Sequence, residues 1–218
     1  MAPRLPSRPF LYPILDLELL GSRSLGQAVA TLAAAGAGVL QVRAKLETDA
    51  RYLALAREAV RAARAAGVVL LVNDRPDVAR ILEADGVHLG QDDLPPADAR
   101  RLLGPAALIG LSTHSLAQLE AATAAPVDYV AIGPVFPTRT KQHADPVVGL
   151  ELVRRARELV RGPLVAIGGI TRANARAVID AGADGVAVIS DLLQAPDLGQ
   201  AAAELLRALE GAAWVTGH

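Results

Sequence analysis

The chain of 218 residues contains no cysteine. That excludes disulfides, thiolate nucleophiles and cysteine-ligated metals together, and it fits a reducing compartment. Aromatic residues are scarce, 3% of the chain, too few for the stacking platforms that bind single-stranded nucleic acid. No sign of charge dominates: the formal net charge is −1, so no overall field draws the chain to nucleic acid or to a membrane surface. No apolar run approaches the roughly 18 residues of a membrane span. The N-terminal MAPRLPSRPF has no apolar stretch long enough for a signal peptide. The expectation is a cytoplasmic protein that binds small molecules rather than nucleic acid or membrane, with self-association into a homo-oligomer left open.

What is present is apolar residues, 52% of the chain against 21% charged, a balance suited to one large core. With no linker or low-complexity block, residues 1–218 read as a single domain, with tails at about 1–9 and 211–218. Short apolar runs alternate with helix-patterned segments such as 48–66 and 149–161. Strands are expected at 10–16, 39–43, 68–73, 86–90, 108–113, 129–133, 164–168 and 185–190. They are rich in Val, Ile and Leu with little alternation, as parallel strands buried on both faces are. Gly36-Ala37-Gly38-Val39, Ala84-Asp85-Gly86-Val87, Val127-Asp128-Tyr129-Val130 and Ala183-Asp184-Gly185-Val186 each close a helix and open a strand. A doubly wound open sheet shares this α/β alternation. Eight strands in this length favour a (β/α)₈ barrel.

In such a barrel, side chains at the C-terminal strand ends converge on one face. Those ends carry Gln41, Arg43 and Lys45; Asn73 and Asp74; Gln91 and Asp93; Ser112, Thr113 and His114; Gly168 and Gly169; and Ser190. A purely structural barrel needs no such concentration of polar groups, so the pattern points to an enzyme. Arg43 and Lys45 alternate around Ala44, a planar fork beside a point charge, which suits a diphosphate. Asp74 and Asp93 end neighbouring units near those cations, a natural Mg²⁺ site shared with phosphate oxygens. Either carboxylate alone could instead cap a helix, since Asp74 precedes Pro76 and Asp93 precedes Leu-Pro-Pro.

The segment 133–149 is too long for a simple turn; in it Thr138 and Thr140 alternate around Arg139 and lead into Lys141, two hydroxyl donors and a cation that suit a phosphate or diphosphate, although such a loop taken alone could equally be solvated surface. Ile167-Gly168-Gly169-Ile170-Thr171 and Val188-Ile189-Ser190 fall where many barrels bind a phosphate through backbone N–H groups. Two distinct anion sites therefore share one face. An isomerase of one phosphorylated substrate needs only the second, whereas an enzyme joining a diphosphate ester to a monophosphate needs both.

From about residue 10 to 207 the chain resembles the thiamine-phosphate synthase (thiamine-phosphate pyrophosphorylase) family. The resemblance rests on QVRAK (41–45), NDRPDVA (73–79), ADGVHLGQDDLP (84–95), GLSTHS (110–115), DYVAIGPVFPTRTKQHA (128–144), VAIGGI (165–170) and AGADGVAVIS (181–190). It implies a TIM barrel that joins hydroxymethylpyrimidine diphosphate to a thiazole phosphate with Mg²⁺ and releases pyrophosphate. It further implies that Gln41, Val42, Arg43, Ala44, Lys45, Asn73, Ser112 and Lys141 hold the pyrimidine diphosphate, that Asp74 and Asp93 bind the metal, and that Thr138, Arg139, Thr140, Gly169, Ile189 and Ser190 hold the thiazole phosphate. Arg43, Lys45, Ser112 and Lys141 are the catalytic candidates.

A dissociative substitution on the pyrimidine methylene would need no side-chain nucleophile. His114 could act as a base or hold structure, and His88 and His143 are weaker candidates. The first strand, LYPILD, and residues 142–148 depart from the family pattern. The rivals are a thiazole tautomerase, which would not need the Asp74/Asp93 pair or the cluster of Arg43, Lys45 and Lys141, and a non-catalytic barrel that binds thiazole phosphate.

Overall fold

A computed structural model describes residues 3–138, 140 and 146–210. The expectations for Arg139, Lys141, His143 and the 211–218 tail lie outside the described residues. The strands are β1 (Phe10–Asp16), β2 (Val39–Arg43), β3 (Val69–Asn73), β4 (Gly86–Leu89), β5 (Leu108–Thr113), β6 (Tyr129–Ile132), β7 (Leu164–Ile167) and β8 (Gly185–Val188). They pair in parallel, in sequence order, and β8 closes on β1. The (β/α)₈ barrel is thus the fold, and the open-sheet alternative falls away.

The helices among the described residues are α1 (Leu17–Leu20), α2 (Leu25–Ala34), α3 (Asp49–Ala66), α4 (Pro76–Leu82), α5 (Pro96–Leu103), α6 (Leu116–Thr123), α7 (Gly149–Leu159), α8 (Ala175–Asp180), α9 (Ser190–Leu193) and α10 (Leu198–Leu209). Their starts follow local chemistry. Ser24, Thr48, Ser115 and Asp197 each accept a hydrogen bond from a first-turn N–H of α2, α3, α6 and α10, satisfying a donor the helix leaves without an internal partner. Five strands are shorter than the sequence expectation: β3 begins one residue later, at Val69, and β4 and β6 end one residue earlier, at Leu89 and Ile132. β8 stops at Val188 because Ile189 and Ser190 turn into α9, and β7 stops before Gly168, whose φ is 102°.

The absence of strict alternation in the strands has its cause in two packed faces. Tyr12, Val39, Leu71, Tyr129 and Val165 fill the barrel interior, while their chain neighbours Leu11, Leu40, Leu70, Val72 and Val130 pack outward under the helices. Both sets are nearly inaccessible to solvent, and each fully buried Leu or Val contributes on the order of 1.5–3 kcal/mol.

The Asp of the recurring helix-to-strand junction does more than turn the chain. Asp85, Asp128 and Asp184 accept the backbone N–H of Leu70, Ile109 and Leu164, at 2.8, 2.7 and 2.8 Å. Each carboxylate thereby satisfies a donor at the start of the preceding strand. Asp184 also pairs with Arg157 and Arg8, both at 2.8 Å, and Leu5 packs against the interior cluster. The N-terminal strand ends are therefore tied together by structural polar contacts. The opposite face is where polar groups remain available for chemistry.

Candidate active site

One cavity of about 470 Å³ opens at the C-terminal ends of the strands, within the usual range for small-molecule sites. On its β2–β5 side it is lined by Gln41, Arg43, Lys45, Asn73, Asp74, Asp93 and Ser112, and on the other by Thr138, Thr140, Gly169, Ile189 and Ser190. Val42 and Ala44 do not reach it. The period of two along β2 turns Val42 outward, where it is fully buried under the helices with Ala44 packed nearby. Thr113 likewise faces outward and donates to the carbonyl of Ala131 at 2.9 Å.

On the β2–β4 side, the Lys45 ammonium pairs with the Asp74 carboxylate. The pKa of the Asp93 carboxyl is raised, chiefly by burial and then by its neighbour Asp74, against the opposing pull of the Gly90 N–H and Lys45. Neither acid caps the helix after it. The residue before α4 is Arg75, with no side-chain cap, and the one before α5 is Pro95. Asp74 itself has φ 61°, a left-handed conformation that Asp tolerates better than most residues. Its N–H is held by the His88 carbonyl at 2.8 Å. Asp93 is tied to the Gly90 N–H at 2.7 Å. Two neighbouring acids, held by backbone contacts beside a lysine, form an oxygen donor set that fits a hard divalent cation. Among the described residues no three His, Asp or Glu side chains converge on one point. A cation there would draw its remaining ligands from substrate and water.

Arg43 is engaged by a residue the sequence reading passed over. Asp16, its register partner on β1, is 2% exposed and accepts a hydrogen bond from Arg43 Nη1 while its other oxygen caps α1 through the Glu18 N–H at 3.0 Å. The signal was a charged residue closing an apolar strand, LYPILD. Tyr52 was also missed. Its hydroxyl donates to the carbonyls of Val42 and Asn73, at 3.3 and 3.2 Å, bridging the ends of β2 and β3. Because it lies on a helix, strand-end reading could not reach it.

The other half of the cavity is built from backbone. Gly169 has φ 62°, and a Cβ there would stand 2.5 Å from the Pro137 carbonyl oxygen, so only glycine fits. Asn174 fastens the turn, donating to the Gly169 carbonyl at 3.0 Å and accepting the Thr171 N–H at 2.8 Å. Ser190 opens α9. Its acidic neighbour Asp191 is engaged by the N–H and the Nε of Arg172, both at 3.1 Å, which offsets a negative charge beside the cavity. The Thr138 and Thr140 hydroxyls, 3.3 Å apart, face the same space. His114 donates from Nδ1 to the Gly133 carbonyl at 2.7 Å and its N–H is held by Gln118 Oε1 at 2.7 Å, so it secures the loop after β6.

A sequence profile of thiamine monophosphate synthase matches residues 11–192. The chain belongs to the thiamine monophosphate synthase family. It is, with that family, a transferase of thiamine biosynthesis. A thiamine-phosphate synthase of Koribacter versatilis is 49% identical over 205 residues, covering 92% of this chain and 96% of the relative. One from Azorhizobium caulinodans is 44% identical over 203 residues, covering 92% and 94%. Among solved structures, a thiamine phosphate pyrophosphorylase of Pyrococcus furiosus superposes with a TM-score of 0.83 at 36% identity, covering 92% of this chain and 95% of that one. A geranylgeranylglyceryl phosphate synthase of Thermoplasma acidophilum, 15% identical with a TM-score of 0.66, shares the fold alone.

Proposed function

We propose that this family member condenses hydroxymethylpyrimidine diphosphate with thiazole phosphate in the cavity described, forming thiamine phosphate and releasing pyrophosphate. The observation that carries this reading is the pairing of two unlike clusters in one cavity: carboxylates and cations at β2–β4, and a turn of two glycines with positive φ beside Ser190 at β7–β8. The first suits a diphosphate with Mg²⁺ and the second a monophosphate.

Asp74 and Asp93 would hold Mg²⁺, which supplies positive charge against the diphosphate oxygens. Arg43 and Lys45 grip the same oxygens and stabilise charge as it collects on departing pyrophosphate. Gln41, Asn73 and Ser112 hold the pyrimidine diphosphate in place, and Lys141 adds a further cation on this reading. Gly169, Ile189 and Ser190, with Thr138, Arg139 and Thr140, hold the thiazole phosphate so that its ring nitrogen faces the methylene carbon. Fixing both partners removes much of the entropic barrier to their meeting. A tautomerase would leave the Asp74, Asp93 and Lys45 cluster without work.

The test is product analysis of the purified protein supplied with both substrates and Mg²⁺. Thiamine phosphate is expected. Its absence, with thiazole phosphate unchanged or only isomerised, would overturn the proposal.

A further inference from the structure

Beneath the cavity, five polar side chains form a line through the barrel interior that the chemistry above does not use as a unit. Gln41 Nε2 donates to the Tyr12 hydroxyl at 2.8 Å. The Tyr12 and Tyr129 hydroxyls are 3.0 Å apart. The Tyr129 hydroxyl is 2.7 Å from His88 Nδ1, and His88 Nε2 is 2.8 Å from Ser112 Oγ. All but Ser112 are buried. Such groups carry a desolvation cost that apolar side chains of similar shape would avoid. The interior is nonetheless shaped for them. A Cβ at Gly110 would fall 2.0 Å from the Tyr129 ring, and the His88 ring stacks on that ring with centroids 5.5 Å apart.

The sense of the line is set at its first member. The Gln41 N–H occupies a lone pair of the Tyr12 oxygen, which leaves the Tyr12 hydrogen for Tyr129. Burial raises the pKa of both phenols, so both keep their hydrogens. Tyr129, accepting from Tyr12, passes its own hydrogen to His88 Nδ1. A neutral imidazole that accepts at Nδ1 carries its proton on Nε2. That proton goes to Ser112 Oγ, and the Ser112 hydrogen is left to point into the cavity.

We infer that His88 is a positioning residue, held by Tyr129 in the Nε2–H form so that the Ser112 hydroxyl is a donor to the pyrimidine diphosphate. The opposite sense would have Ser112 spend its hydrogen on His88 and turn lone pairs toward an anionic ligand. The identity of that ligand rests on the synthase reading; the tautomer does not.

Two measurements test the inference. Long-range ¹H–¹⁵N spectra of the labelled ligand-free protein report the tautomer of each of the four histidines, with His88 assigned by the signal missing from His88→Gln. Nε2–H at neutral pH is expected, and Tyr129→Phe should release the lock and admit the Nδ1–H form. An Nδ1–H or doubly protonated His88 in the unaltered protein would overturn the inference. If His88→Gln does not fold, Tyr129→Phe makes the assignment by shifting the His88 signals, and their failure to shift counts against the inference.

The second is a double-mutant cycle on kcat/KM for the pyrimidine diphosphate. Ser112→Ala and His88→Gln should each lower it about 3- to 10-fold, the worth of one hydrogen bond, and the double variant no further than Ser112→Ala alone. Multiplying losses, or no loss from His88→Gln, would contradict it. A synthase reading that failed would remove the activity and leave the tautomer as stated.

Discussion

Asp16 and Arg43 face each other across β1 and β2 as register partners, and the buried carboxylate holds the guanidinium at the cavity wall. This pairing orients the cation without any ligand. Asp16→Asn keeps the shape and the Glu18 cap while removing the charge. The expected result is a stability loss of about 1.5–3 kcal/mol, typical of a hydrogen bond to a charged group, with a higher KM for the pyrimidine diphosphate and little change in KM for the thiazole phosphate. Thermal unfolding and two-substrate kinetics check it. Equal rises in both KM values would count against the assignment of Arg43 to the diphosphate half.

Asp93 makes one backbone contact, to Gly90, and does not cap α5. Asp93→Ala should therefore fold with a stability change within about 1 kcal/mol while turnover falls on the order of 100-fold or more. Circular dichroism and Mg²⁺-dependent turnover are the readouts. Undiminished turnover would refute Asp93 as a metal ligand.

Gly169 tests the other half. Alanine there meets both a positive φ and the Pro137 carbonyl, so Gly169→Ala should cost about 1–3 kcal/mol and distort the backbone proposed to receive the monophosphate. KM for the thiazole phosphate should rise more than that for the diphosphate. The reverse order would show the nest to be misassigned.

The three tyrosines of the chain, Tyr12, Tyr52 and Tyr129, are all buried, and burial is the first cause of a raised pKa in each. Their unfolded pKa lies near ~10. Below that, both states hold the phenolic protons and stability is unaffected. Above it, the unfolded state releases protons that the folded state keeps, so stability falls as pH rises. Phenolate absorbance should thus appear together with unfolding, in one cooperative step. Gradual ionisation near pH 10 with the fold intact would contradict this burial.

Barrel, strand order and the polar face were legible in the sequence because parallel strands buried on both faces leave long apolar runs, and the few polar residues at their ends stand out. Asp74, Asp93, Gly169 and Ser190 could be read this way, and the structure brings them to one cavity. What could not be read depends on pairing between distant segments. Asp16 acquires a role only through its register with Arg43. Tyr12, His88 and Tyr129 form a line only once β1, β4 and β6 share an interior. Val42 and Ala44 belong to a motif that is continuous in sequence, whereas the pleat of β2 turns alternate side chains away from the cavity.

The most direct test of two cooperating anion sites is pyrophosphate release, measured with and without thiazole phosphate in the presence of Mg²⁺. Release in one-to-one proportion with thiamine phosphate, dependent on both substrates, is predicted. Release that proceeds at the same rate without thiazole phosphate, or no release at all, would contradict the account.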